Sequence, residues 1–241
     1  YDHGIINWTT KNTIEMNKQG GIVGAIINAT TEDDAPVGLS YHTNDHVNSS
    51  WVAGDGQLMA GYGLVNSTAL MEDAYANPSS KILSIGGGKY LLAFLGDTAG
   101  RDRMVASTLT YAIYDENTDQ WTDPQILAGD HIADSKPNLT DAGDKVILSW
   151  AGIPTQKYND LKKAVKTELT EATGAEPTDD TTLEAMEADP ARVMAGYEIY
   201  SVEFNKSSGA FGTPVQLTSD DYYDDYPQAV YDESTGDYIV M

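Results

Sequence analysis

Hydrophobic and polar positions recur along the chain in the same order. Residues 110–138 align without a gap with residues 200–228. The matched positions keep their aromatic, proline, aliphatic or acidic character: Trp121 with Phe211, Pro124 with Pro214, Leu127 with Leu217, Asp130 with Asp220, Asp134 with Asp224, and Pro137 with Pro227. Self-similarity of this kind is the signature of a repeat architecture, so the chain predicts successive copies of one structural unit.

A second alignment extends the unit towards the N-terminus. Residues 81–96 align without a gap with residues 137–152. The matched positions are basic, aliphatic and aromatic: Lys89 with Lys145, Leu92 with Leu148, and Phe94 with Trp150. The later unit is longer than the earlier one, so an insertion must lie between Gly152 and the neighbourhood of Tyr197.

Each unit predicts four short strands. The second is apolar on both faces, at Tyr90–Leu95 and Val146–Trp150, which is typical of a strand buried on both sides. The third alternates, at Leu109–Asp115 and Ile199–Asn205, which indicates one exposed face. The first and fourth strands are shorter: Lys81–Ile85 and Asn138–Asp141, then Gln125–Leu127 and Val215–Leu217. Four strands per repeat are the unit of a propeller blade.

We therefore predict an all-β fold, a β-propeller fragment of about three to four blades of four-stranded antiparallel sheet with a helical insertion. Residues 1–78 form an N-terminal β region that can hold a divergent blade, residues 79–134 and 135–223 form two blades, and residues 224–241 begin a further one. A plain antiparallel sandwich is the competing prediction. Because a blade cannot bury its faces alone, we expect the remaining propeller blades of a parent chain as partners.

The insertion, at about residues 155–195, is rich in helix formers and acidic residues. It predicts helices over residues 158–171 and 182–187, with Asp180 capping the second. The first helix carries an apolar stripe: Leu161, Val165 and Leu169. Such a stripe must pack on something. The candidates are the propeller itself, a partner subunit in an assembly module, or the propeller face that the helix would cover as a lid.

Composition excludes several functions. The chain has 37 acidic and 14 basic residues and a net charge of −23, so we expect no binding to nucleic acid. No apolar run approaches the ~18 residues of a spanning helix, so we expect no membrane insertion. Cysteine is absent. We expect a secreted or cell-surface protein of bacterial type, in which the core or metal ions do what disulfides do elsewhere.

The turns before the fourth strands share a degenerate motif. Residues 115–124 and 205–214 each have an acidic or amide start, a polar turn, an aromatic residue and then proline. They resemble the Asp-box, Ser-x-Asp-x-Gly-x-Thr-Trp, of sialidase-like propellers and of repeats in large bacterial cell-surface proteins. The resemblance covers residues 79–241 and implies a propeller in which the box is a structural feature of the blade.

The same resemblance implies what sialidase chemistry would require: three arginines from separate blades, a tyrosine nucleophile and an aspartic acid. The chain has three arginines, Arg101, Arg103 and Arg192, and two of them share one loop. No complete sialidase site is therefore expected. We predict a non-catalytic binding or structural module for a glycan or a cell-surface protein. The alternative is a glycoside hydrolase or lyase whose active site is completed by blades outside this sequence.

A loop between the second and third strands of the first unit carries Arg101, Asp102 and Arg103. A pair of arginines is a local exception in a chain of net charge −23. The loop is therefore a candidate for binding an acidic group of a ligand. A solvated loop of ion pairs is the competing interpretation.

The densest polar run lies at residues 219–226. Its four aspartates, with two equivalent ones from the preceding unit, are candidate ligands for Ca²⁺, which takes roughly six to eight oxygens: Asp220, Asp221, Asp224, Asp225, Asp130 and Asp134. Its three tyrosines, Tyr222, Tyr223 and Tyr226, can stack on sugar rings. Packing at a turn between blades is the competing interpretation.

Overall fold

The structure is a computed structural model that describes residues 80–97, 101–102, 104–118 and 120–241, together with the backbone of six strands before residue 75. These six are β1 (Thr13–Met16), β2 (Ile22–Asn28), β3 (Val37–Thr43), β4 (Ser49–Val52), β5 (Leu58–Gly61) and β6 (Val65–Ala74). Strands β1, β2, β3 and β6 pair antiparallel in that order, and β4 pairs with β5. The N-terminal region is thus itself made of antiparallel strands.

The next five strands form a four-stranded antiparallel arrangement around β8. They are β7 (Ser80–Gly86), β8 (Lys89–Asp97), β9 (Ser107–Asp115), β10 (Gln120–Trp121) and β11 (Gln125–Ile126). Strand β8 pairs with β7 on one side and β9 on the other, and both β10 and β11 pair with β9. One residue pair, Ala74 with Gly96, links this blade to β6.

The following strands repeat this arrangement around a second central strand. They are β12 (Ile132–Ala142), β13 (Lys145–Ile153), β14 (Glu198–Asn205), β15 (Ala210–Phe211) and β16 (Val215–Gln216). A hairpin of β17 (Ala229–Asp232) and β18 (Asp237–Val240) then begins a third sheet. The prediction of an all-β propeller fragment with a helical insertion is confirmed by these repeated antiparallel sheets.

The outer strand of each blade is split into two short pieces. Pro124 follows β10 and Pro214 follows β15, and proline has no N–H to donate to the ladder. In both blades the aromatic residue, Trp121 or Phe211, already belongs to the first outer piece. The sequence pattern had placed these aromatics in the preceding turn, so the outer strand begins earlier than expected.

The turns that resemble the Asp-box are stabilised by their first residue. In the first blade, the Asp115 carboxylate accepts hydrogen bonds from the backbone N–H and side-chain amide of Asn117, and these bonds lower the pKa of Asp115. In the second blade, the Asn205 side chain accepts from the N–H groups of Ser207 and Ser208 at 2.9 and 2.8 Å. A short polar side chain that caps its own turn explains the acidic or amide start.

Two of the hydrophobic clusters lie between successive sheets. One cluster joins the first and second blades and is built from apolar side chains of both: Ala93, Leu95, Leu109 and Leu127 with Leu148, Trp150, Tyr200 and Val202. A smaller cluster joins the second blade to the hairpin through Ile147 and Ala229. The apolar central strands predicted from the sequence are therefore buried because each has a neighbouring sheet on its face.

A buried carboxylate ties the first two blades together. Asp134, only 1% exposed, accepts hydrogen bonds from the Leu109 N–H at 2.7 Å and from the Trp150 indole at 3.2 Å. Its Oδ1 also lies 2.8 Å from Nδ1 of His131. A Cβ on Gly152 would come within 2.7 Å of this oxygen, so the close approach requires glycine. Since Leu109 belongs to one blade and Trp150 to the next, the network fixes their relative position.

The insertion folds into three helices: α1 (Thr155–Thr173), α2 (Asp179–Ala188) and α3 (Pro190–Met194). The first helix ends at Gly174, whose left-handed conformation lets its N–H bond the carbonyl of Thr170. The expectation that Asp180 caps the second helix is wrong. Thr178 is the N-cap, and its hydroxyl accepts from the N–H of Thr181, because the helix begins one residue before Asp180.

The apolar stripe of α1 packs on its own chain. Val165 is buried in a cluster with Val105, from the first blade's loop, and with Ile132 and Ile153 of the second blade. Leu161 and Leu169 pack against the same cluster. The cluster also contains Leu183 and Met186 of α2 and Val193 of α3. The sequence had left the partner of this stripe open, and the structure shows that it packs against both the propeller and the other two helices of the insertion.

We predict that Asp134→Ala destabilises the fold by about 3 kcal/mol or more, because three buried donors lose their acceptor. The measurement is urea unfolding followed by tryptophan fluorescence. Asp130→Ala is the matched control: Asp130 is exposed, so its removal should change the free energy of unfolding by less than about 0.5 kcal/mol. Equal stability of the two variants would show that the network does not hold the blades.

Candidate ligand-binding site

The predicted ligand residues that the structure describes belong to one face of the propeller. In each blade the first strand begins, the second ends and the third begins at this face, because the strands are antiparallel. We define it as the upper face, where β7, β12 and β17 begin. The loop of Arg101, the helical insertion, and residues 217–228 therefore all lie at the upper face.

One depression, with a volume of about 180 Å³, is lined by the start of β7, the middle of β12 and the residues just before β17. We refer to it as the axial depression. Its lining consists of polar, basic, tyrosine and proline residues: Ser80, Lys81, Lys136, Pro137, Asn138, Tyr226, Pro227 and Gln228. By the repeat alignments, Ser80, Lys136 and Tyr226 occupy equivalent positions. The fold thus converges the same position of three blades on one point.

The backbone at this point is unusual. Lys136 and Tyr226 have φ angles of 50° and 56°, in the left-handed region that favours glycine. Such a conformation costs about 1–3 kcal/mol per residue and persists only where surrounding structure enforces it. The Lys136 ammonium lies 4.5 Å from the centre of the Tyr226 ring, within cation–π range. The strain recurs at equivalent positions and presents these two side chains together.

The acidic run is only partly assembled. Among the residues that the structure describes, one group of three has ligand-type atoms within 4.8 Å of each other: Glu198, Asp220 and Asp224. The structure therefore brings two predicted metal ligands together but adds Glu198, which the sequence did not suggest. The predicted set is otherwise dispersed, since Asp130, Asp134, Asp221 and Asp225 lie outside this group. Asp134 in particular serves the buried network between the blades.

A lysine already neutralises this group. Glu198 is 1% exposed, and its Oε1 lies 2.6 Å from the Lys157 ammonium. The other oxygen, Oε2, accepts from the Thr218 hydroxyl at 2.8 Å. Lys157 also donates to the backbone carbonyl of Asp220. The helical insertion thus supplies a tethered cation to the acidic run, and calcium binding there stays a prediction.

The same helix holds the arginine loop. Oδ2 of Asp102 accepts from the Tyr158 hydroxyl at 3.2 Å and from the Lys162 ammonium at 3.0 Å, so Asp102 is engaged by α1. Arg101 donates to the Thr108 hydroxyl at 3.1 Å. Arg103 lies outside the described residues. Helix α1 therefore contacts both loops that the sequence singled out, and ligand binding by the arginines stays a prediction.

The three predicted tyrosines differ in their surroundings. Tyr226 is 60% exposed and lines the axial depression, whereas Tyr222, 77% exposed, does not belong to its lining. Tyr223 packs edge-on against Tyr197 and donates to Asp225 at 2.7 Å. Burial and that hydrogen bond raise the pKa of Tyr223 above its ordinary value. Sugar stacking by Tyr222 and Tyr223 stays a prediction.

Sequence reasoning missed Glu198 and its partner Lys157. Glu198 directly precedes the predicted strand Ile199–Asn205, where a charge indicates an exposed strand end. In the structure it begins β14, and the first five residues of that strand are all buried. A comparison of the repeats contained the signal, because its equivalent is Thr108. Thr108 accepts from Arg101 and Glu198 accepts from Lys157. In both blades, therefore, the residue at this position accepts a hydrogen bond from a basic side chain of the segment that connects the second and third strands.

No protein-family model and no curated protein sequence matches the chain. Among solved structures, similarity is found to an α-L-arabinofuranosidase of Fusarium graminearum with an iminosugar inhibitor, at TM-score 0.47 and 9% identity. The GH93 α-L-arabinofuranosidase of the same fungus with arabinobiose gives 0.48 and 10%, and a Penicillium chrysogenum α-L-arabinanase gives 0.46 and 10%. Matches cover 93–95% of this chain and 54% of each of those chains.

The chain thus spans about half the length of these three structures. Likeness at this level of identity and TM-score carries no information about the activity of this chain. Within the described part of the chain, no helix combines the length and the apolar character needed to cross a membrane.

We predict that Lys157→Met releases the acidic run from α1. Removing the ammonium leaves the Glu198 charge unpaired in the fold, which should cost about 2 kcal/mol, less than for a fully buried pair because Lys157 is partly exposed. Hydrogen exchange should rise at the amides of residues 218–226 before other parts of the fold open.

Lys163→Met is the control on the same helix, since Lys163 is exposed. It should leave both stability and exchange unchanged. If Lys157→Met exchanges as slowly as the unaltered protein, Lys157 does not hold the run. Adding calcium to both proteins tests the metal prediction, because an ion bound by Glu198, Asp220 and Asp224 would restore slow exchange to Lys157→Met.

Proposed function

We propose that this protein is an extracellular, cell-surface propeller module that binds a glycan at the axial depression and does not catalyse a reaction. The single observation that carries the proposal is the convergence of three equivalent positions on one depression, with strained backbone at Lys136 and Tyr226. Strained backbone of this kind lowers the stability of the fold, and strained residues cluster at ligand-binding and active sites.

The chemistry of the lining supports a sugar. A tyrosine ring offers a flat apolar surface of the kind that packs against a sugar ring. Around Tyr226, the side chains of Asn138 and Gln228 are amides, and an amide carries both donors and acceptors for sugar hydroxyls. Lys81 and Lys136 add donors without acceptors. This combination of one aromatic ring with several hydrogen-bonding groups suits a saccharide better than an apolar ligand.

A second candidate function is glycoside hydrolysis. The observation that favours it is the grouping of Glu198, Asp220 and Asp224 at the upper face, with ligand-type atoms within 4.8 Å of each other. Retaining glycosidases use two carboxyl groups about 5 Å apart. In this alternative Asp220 and Asp224 are the reacting pair, because Glu198 is buried and bound to Lys157. The binding function is preferred since the carboxylates are not among the residues that line the axial depression.

We predict that Tyr226→Ala lowers affinity for the best glycan about tenfold, because the loss of one stacked ring costs ~1.4 kcal/mol. A glycan array of the whole protein, in calcium and again in chelator, identifies the ligand, and calorimetry measures the affinity. Tyr222→Ala is the control, because this exposed ring is outside the lining, and it should bind within twofold of the unaltered protein.

Other outcomes separate the two functions. If the protein binds no glycan on the array, the proposal is contradicted, and a cell-surface protein becomes the expected class of ligand. Release of sugar from a bound glycan, abolished by Asp224→Asn, would establish the hydrolase instead. Binding lost only in chelator would add calcium to the proposed site.

A further inference from the structure

The axial depression has the opposite electrostatic character to the rest of the molecule. The chain carries 37 acidic residues against 14 basic ones. Yet the eight described residues that line the depression include two lysines, Lys81 and Lys136, and no aspartate or glutamate. The described part of this lining is therefore basic, although carboxylates are abundant nearby in the run at residues 219–226.

The two lysines also differ from most other cations. Among the described lysines and arginines, the majority pair with a carboxylate, as Lys157 does with Glu198 at 2.6 Å and Lys145 does with Glu203 at 2.8 Å. Within the same described part of the chain, neither Lys81 nor Lys136 forms an ion pair. An anionic ligand would gain their charge without displacing a carboxylate of the described chain.

We propose that the axial depression selects an anionic residue of a glycan, one that bears a carboxylate or a sulfate ester. This inference rests on the proposed glycan-binding function and specifies its ligand. The anionic group lies between Lys81 and Lys136, and the sugar ring lies against Tyr226. The lysine ammonium is a compact point charge, so it can bind either a carboxylate or a sulfate ester. A planar guanidinium would instead favour bidentate geometry.

The conformation of Lys136 supports this role. Its backbone is left-handed, and its ammonium lies 4.5 Å from the centre of the Tyr226 ring, beside the aromatic surface. A charge held in this way is oriented before the ligand arrives, which reduces the entropy lost on binding. The net charge of −23 repels anions elsewhere, so an acidic glycan meets a favourable potential only at a local exception such as this.

The size of the depression limits what enters it. Its volume of about 180 Å³ is smaller than the roughly 300 Å³ of the smallest typical ligand pockets. One sugar residue of a chain therefore occupies the depression, and its neighbours lie over the upper face. The two lysines therefore interact with the charge of that single sugar residue rather than with the total charge of the polymer.

The test compares three oligosaccharides of equal length: an oligomer of uronic acid, the same oligomer with its carboxyl groups reduced to alcohols, and a sulfated form of the reduced oligomer. Calorimetry of the whole protein at low and at high salt measures each affinity. We expect the uronate or the sulfated oligomer to bind at least tenfold more tightly than the neutral one. This preference should shrink at high salt, because screening weakens the attraction.

The variants Lys81→Met and Lys136→Met should each lose about tenfold in affinity for the acidic oligomer and less than twofold for the neutral one. Lys163→Met, an exposed lysine of α1, is the matched control and should change neither. If the strained backbone makes Lys136→Met unstable, Lys81→Glu gives the same test by charge reversal, with a larger loss expected. Comparison of uronate with sulfate identifies which oxyanion is preferred.

The outcomes distinguish this inference from the function on which it rests. If the acidic and neutral oligomers bind with equal affinity, and Tyr226→Ala lowers both affinities, the glycan site is supported but its selection of an anionic residue is overturned. Binding of an oligoglutamate peptide but of no oligosaccharide, sensitive to both lysines, would overturn both, since the ligand would be an acidic protein segment. Tight binding of the acidic oligomer that is unchanged in Lys81→Met and Lys136→Met would also overturn the assignment of these residues.

Discussion

Apolar contact between successive four-stranded sheets is the interaction on which the rest of this structure depends. Trp150, fully buried, lies in the contact between the first two blades and stacks on Tyr200. Asp134 adds direction to this contact, because it accepts hydrogen bonds from one blade and from the next. Apolar packing alone tolerates sliding, whereas a buried carboxylate with defined donors does not. Together they fix how far one blade is rotated from its neighbour.

That rotation determines the functional surface. The first strands of three successive sheets lie side by side, so residues far apart in sequence line one depression. The helical insertion is anchored to the same contact through the apolar cluster that includes Val105 and Ile132. From there, Lys157 reaches the acidic run and Lys162 reaches Asp102. A single helix thereby couples two loops of the upper face to the packing of the blades.

The distribution of charged side chains also depends on the tertiary structure. A strongly acidic chain gains solubility but must manage the repulsion between its own carboxylates. Here most described cations are used within the fold, and Glu198 with Lys157 is the most buried example. The acidic run next to the axial depression is thus partly neutralised by a lysine of the chain itself. In the described part of the chain, the two lysines of the depression, Lys81 and Lys136, pair with no carboxylate.

The sequence by itself determined the repeat, the four strands of each unit and the place of the insertion, because strand periodicity, turn chemistry and helix propensity are properties of neighbouring residues. It also indicated the acidic run and Tyr226. Only the tertiary structure decided that Glu198 joins Asp220 and Asp224 while the other four predicted aspartates lie outside this group. It also decided that Lys157, 41 residues before Glu198, pairs with that carboxylate. It likewise decided that Lys136 meets Tyr226 across two blades. Such contacts depend on blade rotation and on backbone conformations that the fold enforces against local preference.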